Sequence, residues 1–236
     1  MKKHLSFPIY LFIVFFTLST GCEKNPGTIP IVSPWIHYGS MTDQGRNTYK
    51  TILIGTQTWM AENLKTTTLN DGTPIPLITD ASEWSGLTSP ACCWQNNNPA
   101  RKVTYGVLYN WYTINTGKLC PAGWHVATDA DWTTLISYLG GENIAGGKLK
   151  ESGYLHWLLP NTGATDEVAF RALPGGARHA GTTVDFKDLG VRCSWWTTSS
   201  NDGQGVSMTV YDDAINIKKH YNPKQYGMSV RCVWDY

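Results

Sequence analysis

The sequence predicts an α+β domain built from loop-rich antiparallel sheets with one or two helices. Three observations carry this. Aromatic and turn-forming residues are abundant (11 tryptophans, 12 tyrosines, 23 glycines and 12 prolines in 236 residues), while charged residues make up only 16%. That leaves little for the charged outer faces of a helical bundle. Residues 47–60 and 206–234 contain runs with the period of two of half-buried strands. Residues 128–139 alone have the 3.6-residue period and end signals of an amphipathic helix.

At the N-terminus, Lys2, Lys3 and His4 precede the apolar run LSFPIYLFIVFFTLST and the pair Gly21-Cys22. A basic start, a short apolar core and a small residue before the cut describe a secretory signal over residues 1–21. The run is too short for a permanent transmembrane helix, which takes about 20 apolar residues. Its Gly-Cys end resembles the bacterial lipoprotein signal, so Cys22 is the expected lipidation site, although Ser19 stands where a leucine is usual and Leu18 lies one place too early. Residues 22–40, proline-rich and without periodicity, read as a tether, and residues 41–236 as a single folded domain with a full core. The expected location is the cell envelope, on the periplasmic or extracellular face of the outer membrane, with the membrane a partner through the lipid anchor. The chain's 19 basic and 18 acidic residues give a net charge of +1. A near-neutral surface argues against nucleic acid as a partner.

Along the domain, NTYKTILIGTQTWMAENLK (47–65) alternates Tyr49, Thr51 and Leu53 against Lys50, Ile52 and Ile54, then breaks at Gly55, which predicts a hairpin. In TDASEW (79–84), Thr79 or Asp80 can cap a short helical turn. YGVLYNWYTI (105–114) is a dense aromatic and β-branched run that reads as buried strand or short helix, and periodicity does not decide between them. In CPAGWHVATDADWTTL (120–135), Thr128 can cap a helix with Asp131 three residues on, a near capping box. Trp132, Leu135, Ile136 and Leu139 then form one apolar stripe, and Gly140-Gly141 stops it. Asp129 and Asp131 lie at the positive end of the helix dipole, where carboxylates are stabilised. A calcium loop would want further oxygen ligands and a glycine where Thr134 stands, so these acids need no metal. Near the C-terminus, Val206, Met208 and Val210, then Ile215 and Ile217, then Met228, Val230, Cys232 and Trp234 form three alternating runs separated by YDDA and NPKQYG. They predict an antiparallel meander closing the domain.

The ordered set YKTILIGTQTWMAENLK, YGVLYNWYTI, CPAGWHVATDADWTTL, GGKLKESG, FRALPGGAR, WWTTSS and YGMSVRCV resembles the Fibrobacter succinogenes major paralogous domain family from about residue 41 to the end. Seven segments in the right order make the likeness specific. It implies a secreted, often lipid-anchored bacterial surface protein, in a family whose biochemical activity is generally unassigned. The GWH helix segment and the terminal SVRCV strand also resemble the C-type lectin-like fold, which formylglycine-generating enzymes share. That likeness implies a first core strand lying beside the last, so it brings Cys120 next to Cys232 and makes Cys120–Cys232 the expected disulfide. With Cys22 lipidated, five cysteines remain, an odd number in an oxidising compartment. Cys193 can pair with Cys92 or Cys93, with Cys93–Cys193 the expected second bridge; a vicinal Cys92–Cys93 bond is the strained alternative. No zinc site is expected, since no CxxC occurs and His37, His125, His156, His179 and His220 lack ligand spacing. No cofactor is implied.

The expected function is a binding or adhesion module, for glycans and without calcium. Tryptophans flank the polar loops CCWQNNNPARK (92–102) and WWTTSSNDGQG (195–205). Sugars stack on exposed rings while amides take their hydroxyls, which nominates Trp94, Asn96, Trp195 and Asn201. The Glu-Pro-Asn, Gln-Pro-Asp and Trp-Asn-Asp signatures of calcium-dependent lectins are absent. An alternative is a structural component of a surface complex, so the partner is a polysaccharide or a surface protein. An enzyme is less favoured. The formylglycine-generating chemistry needs a pair of reactive cysteines near the end, Cys232 sits in a strand pattern, and no Gly-x-Ser-x-Gly elbow occurs. His125, inside a strand motif, reads as a packed or hydrogen-bonded residue rather than a catalytic base.

Overall fold

A computed structural model describes residues 36–180 and 186–236; the signal segment, Cys22 and the tether up to residue 35 lie outside them. The first hairpin forms as the alternation predicts. Strand β1 (Tyr38–Thr42) pairs with β2 (Thr48–Ile54), which turns at Gly55 and Thr56 into β3 (Gln57–Met60). Gly55 adopts φ +61°, a conformation that a side chain disfavours. Helix α1 (Ala81–Ser85) is capped by Asp80, not Thr79: its carboxylate accepts from the Glu83 N–H at 2.8 Å. Strand β4 (Cys92–Cys93) and helix α2 (Arg101–Tyr105) lead into the ambiguous aromatic run, which is both things in succession. It gives strand β5 (Leu108–Tyr109), then helix α3 (Trp111–Ile114) started by the Asn110 side chain.

Strand β6 (Trp124–Val126) precedes α4 (Asp129–Tyr138), where Thr128 and Asp131 make the full reciprocal capping box. Helix α5 (Glu142–Leu149) follows, unforeseen because Gly146 and Gly147 disfavour helix. Packing overrides that propensity. A Cβ on Gly146 would lie 2.2 Å from the Asn216 carbonyl oxygen, and one on Gly147 would lie 2.4 Å from that of Gly163, so only glycine lets α5 approach so closely. Thus α4 and α5 are the two longer helices, and α1 to α3 are single turns beyond the expected count. Strands β7 (Ala177–Arg178), β8 (Phe186–Lys187), β9 (Arg192–Asn201), β10 (Gln204–Tyr211), β11 (Ile217–Asn222) and β12 (Cys232–Trp234) complete the described chain. The fold is mixed α+β with small antiparallel sheets.

The C-terminal runs do not form the expected meander. Strands β9, β10 and β11 make a three-stranded sheet, whereas β12 leaves it and enters a five-stranded sheet of order β1-β2-β3-β12-β6. A period of two reports a half-buried strand but not its partner. The five-stranded sheet is covered on both faces. Ile52, Ile54, Trp59 and Val233 join a core with Trp132 and Leu135 of α4, while Tyr49, Met60, Val126 and Cys232 join a second core with Tyr109 and Trp196.

Candidate functional site

The four residues nominated as ligand contacts do not form one surface. Trp195 is wholly buried: its ring packs on Trp132 and Phe170 (centroids 5.3 and 5.6 Å), and its Nε1–H donates to Asn63 Oδ1 at 3.0 Å. Trp195 is therefore a core residue, because β9 is covered on both faces from Cys193 to Thr197. Trp94 is half-buried against the second core. Asn96 and Asn201 are exposed, Asn96 in a left-handed turn at φ 53° and Asn201 at the end of β9.

The disulfide Cys120–Cys232 forms, with Cα atoms 6.1 Å apart. The Cys93–Cys193 bridge does not: both residues, and Cys92, are free buried thiols. Cys93 lies in a small cluster with Trp84 and Leu108, while Cys193 lies in the core around Trp195, so the fold keeps them apart. Burial pushes all three thiols up to about 12, which keeps them protonated and poorly nucleophilic.

Exposed aromatic surface lies elsewhere, where β6 meets β12. Trp124 and Trp234 are cross-strand partners with ring centroids 5.3 Å apart in an edge-to-face pair. Trp234 is 42% and Tyr236 81% exposed, and the Tyr236 hydroxyl lies 3.1 Å from Thr58 Oγ1. The turn before β6 closes from Pro121 O to the Trp124 N–H, with Gly123 at φ +79°; a Cβ there would sit 3.4 Å from the Trp234 ring. The Asp235 N–H donates to Gly123 O at 2.9 Å and ties the chain end to that turn. The one sequence signal that could have found this pair is the cysteine expectation itself: a Cys120–Cys232 bond implies that Trp124 and Trp234 are neighbours.

His125 is a latch between the ends of this region. Its Nδ1 lies 2.5 Å from Asp235 Oδ1 and its Nε2 2.9 Å from Asp131 Oδ2. Burial alone would lower its pKa, but the two carboxylates outweigh burial and hold it above the ordinary value. Asp131 is also pushed up by burial, yet the Thr128 hydroxyl and N–H and His125 together hold it below the carboxylate norm. A raised imidazole contributes stability that is complete below pH 6.5 and fades as pH rises through its folded value. A depressed carboxylate contributes stability complete above pH 3.8 and lost as pH falls through its folded value. The stability gap between wild type and His125→Asn should therefore be widest between pH 3.8 and 6.5 and narrow on both sides. Thermal melts of both proteins across that range check it, and a gap independent of pH would exclude the ionic latch.

A second concave feature is a cleft of about 200 Å³ lined by Ala61, Glu62, Asn63, Val103, Thr104, His156, Arg171, Leu173 and Arg231. Arg231 is fully buried. It donates from Nε to Asn63 Oδ1 (2.9 Å) and from its two terminal nitrogens to Met60 O (2.7 Å) and Arg171 O (3.1 Å), and it lies 4.5 Å from the Phe170 ring. Glu151 joins His156 Nδ1 (2.7 Å) to Arg171 Nε (3.2 Å). Among the described residues, no group of three acids, histidines or cysteines is placed to hold a metal ion.

The sequence profile of the Fibrobacter succinogenes major domain matches residues 52–234. No curated protein and no solved structure matches the chain.

Proposed function

We propose, on the premise that the chain belongs to the Fibrobacter succinogenes major domain family, that it is a cell-envelope binding module that takes glycans, without calcium, on the Trp124–Trp234–Tyr236 surface. The carrying observation is the edge-to-face pair of exposed Trp234 and half-buried Trp124, fixed by strand pairing and flanked by Tyr236, Asp235 and Thr58. Rigid rings supply apolar contact area at little entropic cost, and nearby carboxylate and hydroxyl groups can take sugar hydroxyls. A lipid on Cys22, with residues 22–40 as tether, would hold the folded domain away from the membrane. Pairing of β12, the last strand, with β6, beside the Cys120–Cys232 bond, supports a C-type lectin-like assignment.

The test is a glycan array probed with the purified chain, with and without EDTA. Binding should survive EDTA and weaken at least about tenfold, worth 1.4 kcal/mol, in Trp234→Ala, while Trp94→Ala binds as wild type. Loss of binding in EDTA would mean a calcium-dependent site. A blank array would favour the alternative, a structural or assembly component that binds a surface protein.

A further inference from the structure

We infer that the cleft bounded by Arg171, Arg231 and His156 is a separate binding site for a small carboxylate, independent of the aromatic surface. The argument is a charge count on fixed geometry. Glu62 is paired with Lys65 (2.6 Å), and Glu151 with Arg171 (3.2 Å). Arg231, at the cleft wall and 1% exposed, has no carboxylate within ion-pair distance among the described residues. Buried charges are normally paired, because an isolated one carries a desolvation cost of several kcal/mol. Glu62 and a further acid, Asp166, act on Arg231 from beyond ion-pair distance, and the Asp166 carboxylate accepts the Arg171 backbone N–H at 2.7 Å. Burial pushes Asp166 up to about 7, so it supplies only part of a negative charge at neutral pH. Burial likewise lowers Arg231 to about 10, the direction expected of a cation lacking its counter-ion.

The cleft therefore carries up to one positive charge more than its own acids neutralise, which fits a monoanion better than a dianion such as phosphate. Donors are available for it. Three of the five guanidinium N–H groups of Arg231 are engaged by protein oxygens, leaving two. Among the described residues the Arg171 side chain is bonded through Nε alone, so its terminal nitrogens are open to a planar carboxylate. His156, held through Nδ1 by Glu151, closes one side of the cleft. Val103, 74% exposed, and Leu173 give the cleft apolar walls. Arg171 itself sits at φ 53°, a conformation that non-glycine residues adopt at a cost and that clusters at ligand clamps. About 200 Å³ lies below the ordinary range for drug-sized ligands, roughly 300–1,000 Å³, so the ligand is a small acid or a single acidic unit of a longer chain.

The experiment titrates the chain with glucuronate, benzoate and glucose, followed by calorimetry and by amide chemical shifts. The expected result is saturable one-to-one binding of at least one acid and none of glucose, weakened at least about tenfold in Arg171→Gln and unchanged in Trp234→Ala. Glucuronate alone binding would assign an acidic sugar unit; benzoate alone would assign a free apolar acid. No saturation by either acid, equal binding of glucose, or full affinity in Arg171→Gln would overturn the inference. Loss in Trp234→Ala would also overturn it, by placing the acid on the aromatic surface. A blank glycan array beside intact carboxylate binding would sink only the aromatic-surface proposal.

Discussion

Lys150→Met should lower the stability of the domain by on the order of 3 kcal/mol, although it replaces a buried cation by an apolar side chain of similar length. Lys150 follows the last turn of α5 and is fully buried. Its ammonium donates to three backbone carbonyls, Thr162 O (2.9 Å), Tyr211 O (2.8 Å) and Ala214 O (2.9 Å), with the Trp157 ring 5.4 Å away. All three protons are thus used, and three segments of chain are joined at one point. Two effects oppose each other. Burial lowers the lysine to about 8 from 10.5 despite Asp212 and Asp213, so relief of the buried charge returns about 3 kcal/mol at roughly 1.4 kcal/mol per unit. Against that, three buried carbonyls lose their donor at about 1–3 kcal/mol each, or about 6 kcal/mol together. Loss of the donors wins. For a domain of this size that is a fall in Tm of about 6–12 °C, measured by thermal melts near neutral pH. A fall under about 1 kcal/mol would show that water replaces the ammonium.

This cage also marks where sequence reasoning stopped. Local elements were legible, because each declares itself within a few residues: Thr128 and Asp131 cap α4, and Gly55 turns the β2–β3 hairpin. Partners were not. Lys150 sits in GGKLKESG among polar residues that read as surface, and Arg231 lies between Val230 and Cys232 with the same alternation as an outward-facing arginine. Only the tertiary fold turns both inward. The tryptophans failed for a related reason. Composition says how many there are, but burial depends on whether both faces of the strand are covered. In β9 they are, so Trp195 is core; where β12 ends they are not, so Trp234 is exposed. The disulfide, inferred through resemblance, was the single long-range contact legible before the fold, and it pointed to the strand pair that carries the candidate site.

Replacing both Cys120 and Cys232 by alanine should cost more than any other change considered for this chain. The bond closes a loop of 112 residues. In the chain-entropy account its removal frees the unfolded ensemble by roughly 5 kcal/mol, within the about 2–5 kcal/mol seen when native disulfides are lost. The native side adds to this, since both sulfurs lie in the core beside Met60 and Val126, and alanine leaves a small cavity there. Because β12 contributes only three residues to its sheet, the bond also fixes the strand against β6, where Trp124 and Trp234 meet. The double variant should therefore melt at least about 10 °C lower and lose ring-contact shifts between Trp124 and Trp234 before global unfolding. Reductant added to the folded wild type should act slowly by comparison, because Cys120 and Cys232 are 3% and 0% exposed and an attacking thiolate needs access to sulfur. Equal and immediate loss of stability on adding reductant would mean that β12 detaches readily in the native state, and the aromatic surface would then be a transient feature rather than a fixed platform.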